Sequence, residues 1–218
     1  VAFSLEKQRL FAVGALLCWP IALILCRLHL GGDILAVGLL WNLFLAFVPL
    51  LWSVAFQKAM ATQRRLPATL YFALWLLFLP NAPYILTDLI HLAPRPGVPL
   101  WLLLAMLLSC AGTGTLLGYF SLANVQNAIT QKGGTFMGWA VAVCSLMLCG
   151  FGIYLGRFLR WNSWDALSQP WQLVRVVLQQ WRDPGPHPHP FYVTVVFGGG
   201  LLLGYLVLRV FAAVLQEK

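Results

Sequence analysis

Residues 34–56 read ILAVGLLWNLFLAFVPLLWSVAF, a run with no charged side chain and a single amide, Asn42. A helix needs roughly 20 apolar residues to cross a hydrocarbon core about 30 Å thick, because each residue rises about 1.5 Å. The helix of a water-soluble domain would alternate apolar positions with a polar face, and this run has none. It reads as a membrane span. Five further runs meet the same test: about Leu10–Leu30, Pro67–His91, Pro99–Ala123, Phe136–Phe158 and Phe191–Val214.

The composition agrees. The chain is 61% hydrophobic and 9% charged, with a mean hydropathy of +0.81, whereas about a quarter of a soluble domain is charged. The expectation is one all-α integral membrane domain over residues 1–218: a polytopic transmembrane bundle of about six spans, with the third helix broken. Gly31-Gly32-Asp33 makes an antiparallel hairpin of the first two spans. Residues 57–66, 92–98 and 124–135 form short polar connections. The first apolar run is too long for a cleavable leader and lacks a small-residue cleavage site, so it is expected to remain a span. Residues 157–190 form the one long connection. Within it Trp171, Val174, Val177, Leu178 and Trp181 recur at helical spacing, with Gln172, Arg175, Gln179 and Gln180 largely on the other side. That is the pattern of an amphipathic helix lying in the interface before the last span.

The net charge of +8 comes from 14 Lys and Arg against 6 Asp and Glu. In so apolar a chain the excess sets orientation and attracts anionic lipid, and nucleic acid is not an expected partner. More basic residues fall on the side of the termini, with the compact cluster Lys58, Arg64 and Arg65, so both termini are expected in the cytoplasm. All four histidines (His29, His91, His187, His189) and all four aspartates (Asp33, Asp88, Asp165, Asp183) then map to the outer side. The five cysteines lie in apolar runs without a paired motif and read as packing residues.

The third span ends FLPNAPYILTDLIH over residues 78–91. Pro80 and Pro83 each remove a backbone donor and crowd the preceding turn, so the helix kinks or stops. Asn81 is then placed to cap a second short helix. In α geometry Tyr84, Asp88 and His91 fall at i, i+4 and i+7 on one polar face. A carboxylate costs roughly 2.5–3.5 kcal/mol at the bilayer centre, so Asp88 needs a partner. Residues 156–165, GRFLRWNSWD, offer Arg157 and Arg160, one turn apart on one helical face at the same depth. Asn162 or Ser163 is placed to cap the turn that follows, with Asp165 near its start.

NLFLA at 42–46, LPNAPY at 79–84 with its continuation to His91, and GRFLRWNSWD at 156–165 resemble the hallmark segments of an uncharacterised bacterial family, domain of unknown function 1361. The resemblance covers the second to the fifth span. It implies a multi-pass protein of the bacterial inner membrane and brings no assigned chemistry.

Three functional readings compete. In the first, Asn81, Asp88, Arg157, Arg160, Asn162 and Asp165 bind an anionic lipid or lipid-linked head group at the outer leaflet, and Asp88, His91 and Tyr84 are the candidates for moving a proton. The plain counterpart is a buried ion pair that fixes helix register, with arginines snorkelling at the interface. In the second, the chain is an accessory subunit of an energy-transducing or pigment-binding membrane complex, with His29 or His91 on the pigment. The third is a small transporter. Bound lipid is the expected guest and no cofactor is identified. His187 and His189, held extended by alternating prolines, lack a third ligand, so no metal is expected. Gly114–Gly118, Gly152–Gly156 and Gly200–Gly204 are small-xxx-small pairs suited to close helix packing or a homodimer. No phosphate loop, nucleophile elbow, zinc-protease helix or dinucleotide fingerprint is present.

Overall fold

Hydropathy and length alone pick out five helical stretches able to cross a membrane, with mean hydropathies from 1.4 to 2.3. They belong to a computed structural model that describes residues 2–29, 34–94, 98–183 and 185–216. The expected turn at Gly31-Gly32-Asp33 lies outside the described residues. The elements are α1 (Ala2–His29), α2 (Ile34–Ala61), α3 (Arg65–Phe78), α4 (Asn81–Tyr84) running into a 3-10 helix (Ile85–His91), α5 (Leu100–Arg157), α6 (Asp165–Ser168), α7 (Pro170–Arg182) and α8 (Pro190–Gln216). No strand occurs among the described residues. Only 17–39% of each apolar window is buried within the chain, so most of that surface faces outward. Such a surface is stable in lipid and not in water, which makes this an integral membrane protein.

Helix α5 is 58 residues long, about 87 Å if straight, nearly three hydrocarbon cores. It is not straight. Gly134 adopts φ 82° and ψ 168°, which glycine alone enters freely, and the chain reverses there. Beyond the reversal Gly138 faces Thr130 and Gln126. Two antiparallel arms result, 100–133 and 135–157. The expected polar connection at 124–135 is therefore mostly helix. Asn124, Gln126 and Asn127 continue the first arm and bond to neighbouring helices: Gln57 Nε2 donates to Asn124 O at 3.1 Å, and Tyr205 Oη donates to Gln126 Oε1 at 2.5 Å.

The arms of α5 form the centre, with α2 and α8 against them. Trp75, Leu122, Val125, Leu146, Ile153 and Tyr205 belong to one buried cluster, and Ile24, Leu39, Leu43, Ile85, Leu103 and Met106 to a second. Between these clusters the small-residue pairs are used internally. A Cβ on Gly114 would strike the Ala82 carbonyl, and one on Gly118 would lie 3.1 Å from the Ala82 methyl. A Cβ on Gly152 would strike the Pro80 ring, and one on Gly156 would lie 2.9 Å from the Tyr84 ring. Both arms thus clasp the same five residues, Pro80 to Tyr84. Close approach of this kind is how helices associate in lipid, where no hydrophobic force drives them together. Of the third pair, Gly204 meets the Tyr119 hydroxyl and Gly200 faces open space.

Gly114→Ala is expected to lower stability by about 1–3 kcal/mol, the usual penalty for overpacking. Gly112→Ala, whose Cβ would meet nothing within 4 Å, is expected to be neutral or slightly stabilising. Thermal unfolding of the two purified variants in one detergent checks the contrast, and equal melting temperatures would remove the clasp.

Candidate functional site

The proline pair shapes the local backbone less abruptly than a cap would. Leu79 and Pro80 keep right-handed helical angles, so the chain bends without leaving the helix. Ala82 N–H bonds Leu79 O at 3.1 Å, a tighter turn than the α ladder, and Asn81 Nδ2 reaches back to Phe78 O at 3.0 Å. Asn81 is therefore not the cap expected from the sequence. It satisfies a carbonyl near the bend, a group that hydrocarbon would leave bare.

Past Tyr84 the chain tightens into the 3-10 helix, and this changes which side chains share a face. At three residues per turn Ile85, Asp88 and His91 align, and Tyr84 leaves the row. Ile85 and Asp88 are buried, and His91 is exposed at the mouth. The expected face of Tyr84, Asp88 and His91 is thus corrected to Asp88 with His91.

Both oxygens of Asp88 are held. Asn42 Nδ2 donates to Oδ2 at 2.9 Å, and Arg157 Nη1 pairs with Oδ1 at 3.3 Å. Arg157 Nη2 lies 3.3 Å from His91 Nε2. A guanidinium only donates, so in this contact the ring nitrogen is the acceptor. Four side chains from α2, the 3-10 helix and the end of α5 therefore make one network. Asn42 was read from the sequence as an interhelical amide, without its partner.

Arg160 does not join them. The helix ends at Arg157, and Arg160 sits beyond it with φ 57°. The expectation of two arginines on one helical face fails because the chain has turned. The left-handed conformation costs a non-glycine residue about 1–2 kcal/mol, and it closes the corner through Trp161 N–H to Leu155 O at 3.0 Å. Arg160 is exposed and makes no ion pair among the described residues.

The corner after it is tied down from two sides. Asp165 Oδ2 accepts from the backbone N–H of Asn162 at 2.7 Å and from Asn162 Nδ2 at 3.2 Å. No side chain caps α6, and Asn162 donates to Asp165 instead of accepting, so neither Asn162 nor Ser163 acts as the expected cap. Ser163 Oγ accepts from Asn81 Nδ2 at 2.9 Å, joining the corner to the bend. Helix α7 docks behind it through Tyr154 Oη to Gln180 Oε1 at 3.2 Å and the Phe151 and Trp181 rings. Trp171 on its outer side is 84% exposed, as a helix lying on lipid requires. His189 serves α8: its Nδ1 accepts from the backbone N–H of Phe191 at 3.2 Å.

These elements enclose a cavity of about 800 Å³, within the size range of small-molecule sites. Leu45, Leu76, Leu77, Leu148 and Phe151 are part of its apolar lining. Asn42, Asn81, Tyr84, Asp88, Arg160, Asn162 and Ser163 supply polar groups, and Leu173 of α7 lines one side. Of the residues singled out in the sequence, Asn81, Tyr84, Asp88, Arg160 and Asn162 meet here. Arg157 stands behind Asp88, His91 sits at its outer end, and Asp165 is turned into the corner. The apolar wall was not foreseen, because leucines in a span carry no signal of which ones face a void.

A family described as Protein of unknown function (DUF1361) matches residues 41–203. The chain belongs to that family. Every residue lining the cavity falls inside the DUF1361 match. No curated protein and no solved structure matches the chain.

Arg157→Ala leaves the Asp88 carboxylate buried without its counter-charge, and a loss of about 3–5 kcal/mol is expected. Asp88→Asn combined with Arg157→Gln should recover most of it. A thermal double-mutant cycle checks this, and additive losses would show that the two groups are not coupled.

Proposed function

We propose that this protein binds the anionic head of a membrane amphiphile, a lipid or a lipid-linked saccharide, in the cavity between α2, α3, the second arm of α5 and α7. The observation that carries this reading is the mixed lining of the cavity: Arg160 with Asn42, Asn81, Tyr84, Asp88, Asn162 and Ser163, and beside them Leu45, Leu76, Leu77, Leu148 and Phe151. A molecule with a charged head and a hydrocarbon tail fits that lining; a wholly polar solute would leave the apolar part wet. Arg160 supplies the charge, because its guanidinium is exposed and carries no carboxylate among the described residues. With the Lys58, Arg64 and Arg65 end in the cytoplasm, the rim opens at the outer leaflet.

Binding suits the geometry better than proton transfer. A general base needs a free lone pair aimed at its substrate. Asp88 has both oxygens engaged, and His91 is turned to Arg157.

Arg160→Gly tests the reading without confusing it with folding. Glycine accepts φ 57° freely, so this variant is expected to melt no lower than the parent. It should lose co-purified anionic lipid, read by native mass spectrometry of protein released from detergent. Undiminished lipid in a well-folded variant would remove Arg160, and with it the proposal.

A further inference from the structure

The cavity also constrains which head group it takes, an inference that rests on the reading above. Three charged side chains set the field: Asp88 and Arg160 on the lining and Arg157 paired behind Asp88. Asp165 does not itself line the cavity, and its carboxylate is spent on the backbone N–H and side-chain amide of Asn162. Asp88, Arg157 and Arg160 together sum to one positive charge, which matches a guest of net charge near −1. A phosphomonoester at neutral pH carries about −1.5 to −2, and a diphosphate more, so either would meet the Asp88 carboxylate with one guanidinium to hold it. A zwitterionic head would bring an ammonium beside two guanidinium groups.

The amides specify what surrounds that charge. Asn42 spends its Nδ2 on the Asp88 carboxylate, and Asn81 spends its own on the Phe78 carbonyl and on Ser163. Carboxylate and carbonyl oxygens only accept, so the orientation of both amides is fixed. Each therefore presents Oδ1, and neither Oδ1 takes a hydrogen bond among the described residues or counts as buried and unpaired. Both asparagines line the cavity beside one guanidinium fork, and their open acceptors call for donors on the guest. Uncharged donors beside a phosphate are hydroxyls.

We infer that the guest is a lipid phosphodiester of single negative charge whose head carries free hydroxyl groups, a polyol or sugar ester. One phosphate meets Arg160, whose planar fork takes two of its oxygens. The hydroxyls donate to Asn42 Oδ1 and Asn81 Oδ1, and the acyl or prenyl chains leave along the leucine wall.

The test uses the full chain in detergent micelles doped with one lipid at a time, with occupancy read by native mass spectrometry. The probes are phosphatidylglycerol, phosphatidylethanol, phosphatidylethanolamine, phosphatidic acid and a polyprenyl diphosphate. Phosphatidylethanol has the same charge as phosphatidylglycerol and no hydroxyl. Losing two hydrogen bonds should weaken it about thirtyfold, and the other three should bind more weakly than phosphatidylglycerol as well. Equal binding of phosphatidylethanol, or tighter binding of the diphosphate or phosphatidic acid, overturns the inference and leaves the broader lipid reading standing. Binding of none of the five overturns both. Soluble glycerol phosphate is expected not to displace phosphatidylglycerol at equal concentration; displacement would mean that a free phosphate ester is the guest.

Discussion

Backbone polar groups inside a membrane have no water to fall back on, and the proline pair at 80 and 83 withdraws two N–H donors from the third span. Much of the surrounding architecture answers that withdrawal. Asn81 covers the Phe78 carbonyl, and the chain tightens rather than opening. Four glycines on the two arms of α5 bring backbone and rings into direct contact with the bend. The tightening has a chemical result. A 3-10 helix puts Asp88 and His91 in one row, where the end of α5 meets both through Arg157. The bend, the glycine clasp and the buried ion pair are linked parts of one arrangement.

A buried carboxylate with two partners is fixed in place. Arg160 differs: it sits in a left-handed conformation that its side chain disfavours, exposed at the rim of a cavity. Strain retained at such a place fits a side chain kept for what it touches and not for how it folds.

The spans were legible because hydropathy is set by composition over many residues, and errors at single positions cancel. The pairing of Asp88 with an arginine was legible for a related reason: lone charges at matching depth in an apolar bundle have few alternatives. What failed was local. Whether Arg157 and Arg160 share a face depends on where α5 stops, a matter of one residue. Whether Tyr84 stands over Asp88 depends on 3.6 or 3.0 residues per turn, which both prolines blur. The polar stretch 124–135 looked like a loop, yet its amides find partners on α2 and α8 that only the packed bundle supplies. The glycine pairs were recognisable as contact surfaces, but sequence spacing does not name the neighbour.

The reversal at Gly134 has a consequence for how the molecule is assembled. Each crossing of the bilayer flips the side on which the next residue emerges. If the chain passed Gly134 without turning back, Arg157 would be delivered to the face opposite Asp88, with a whole membrane between them. The ion pair therefore closes only when the parity of crossings is correct, and a chain threaded otherwise would carry two unmatched charges.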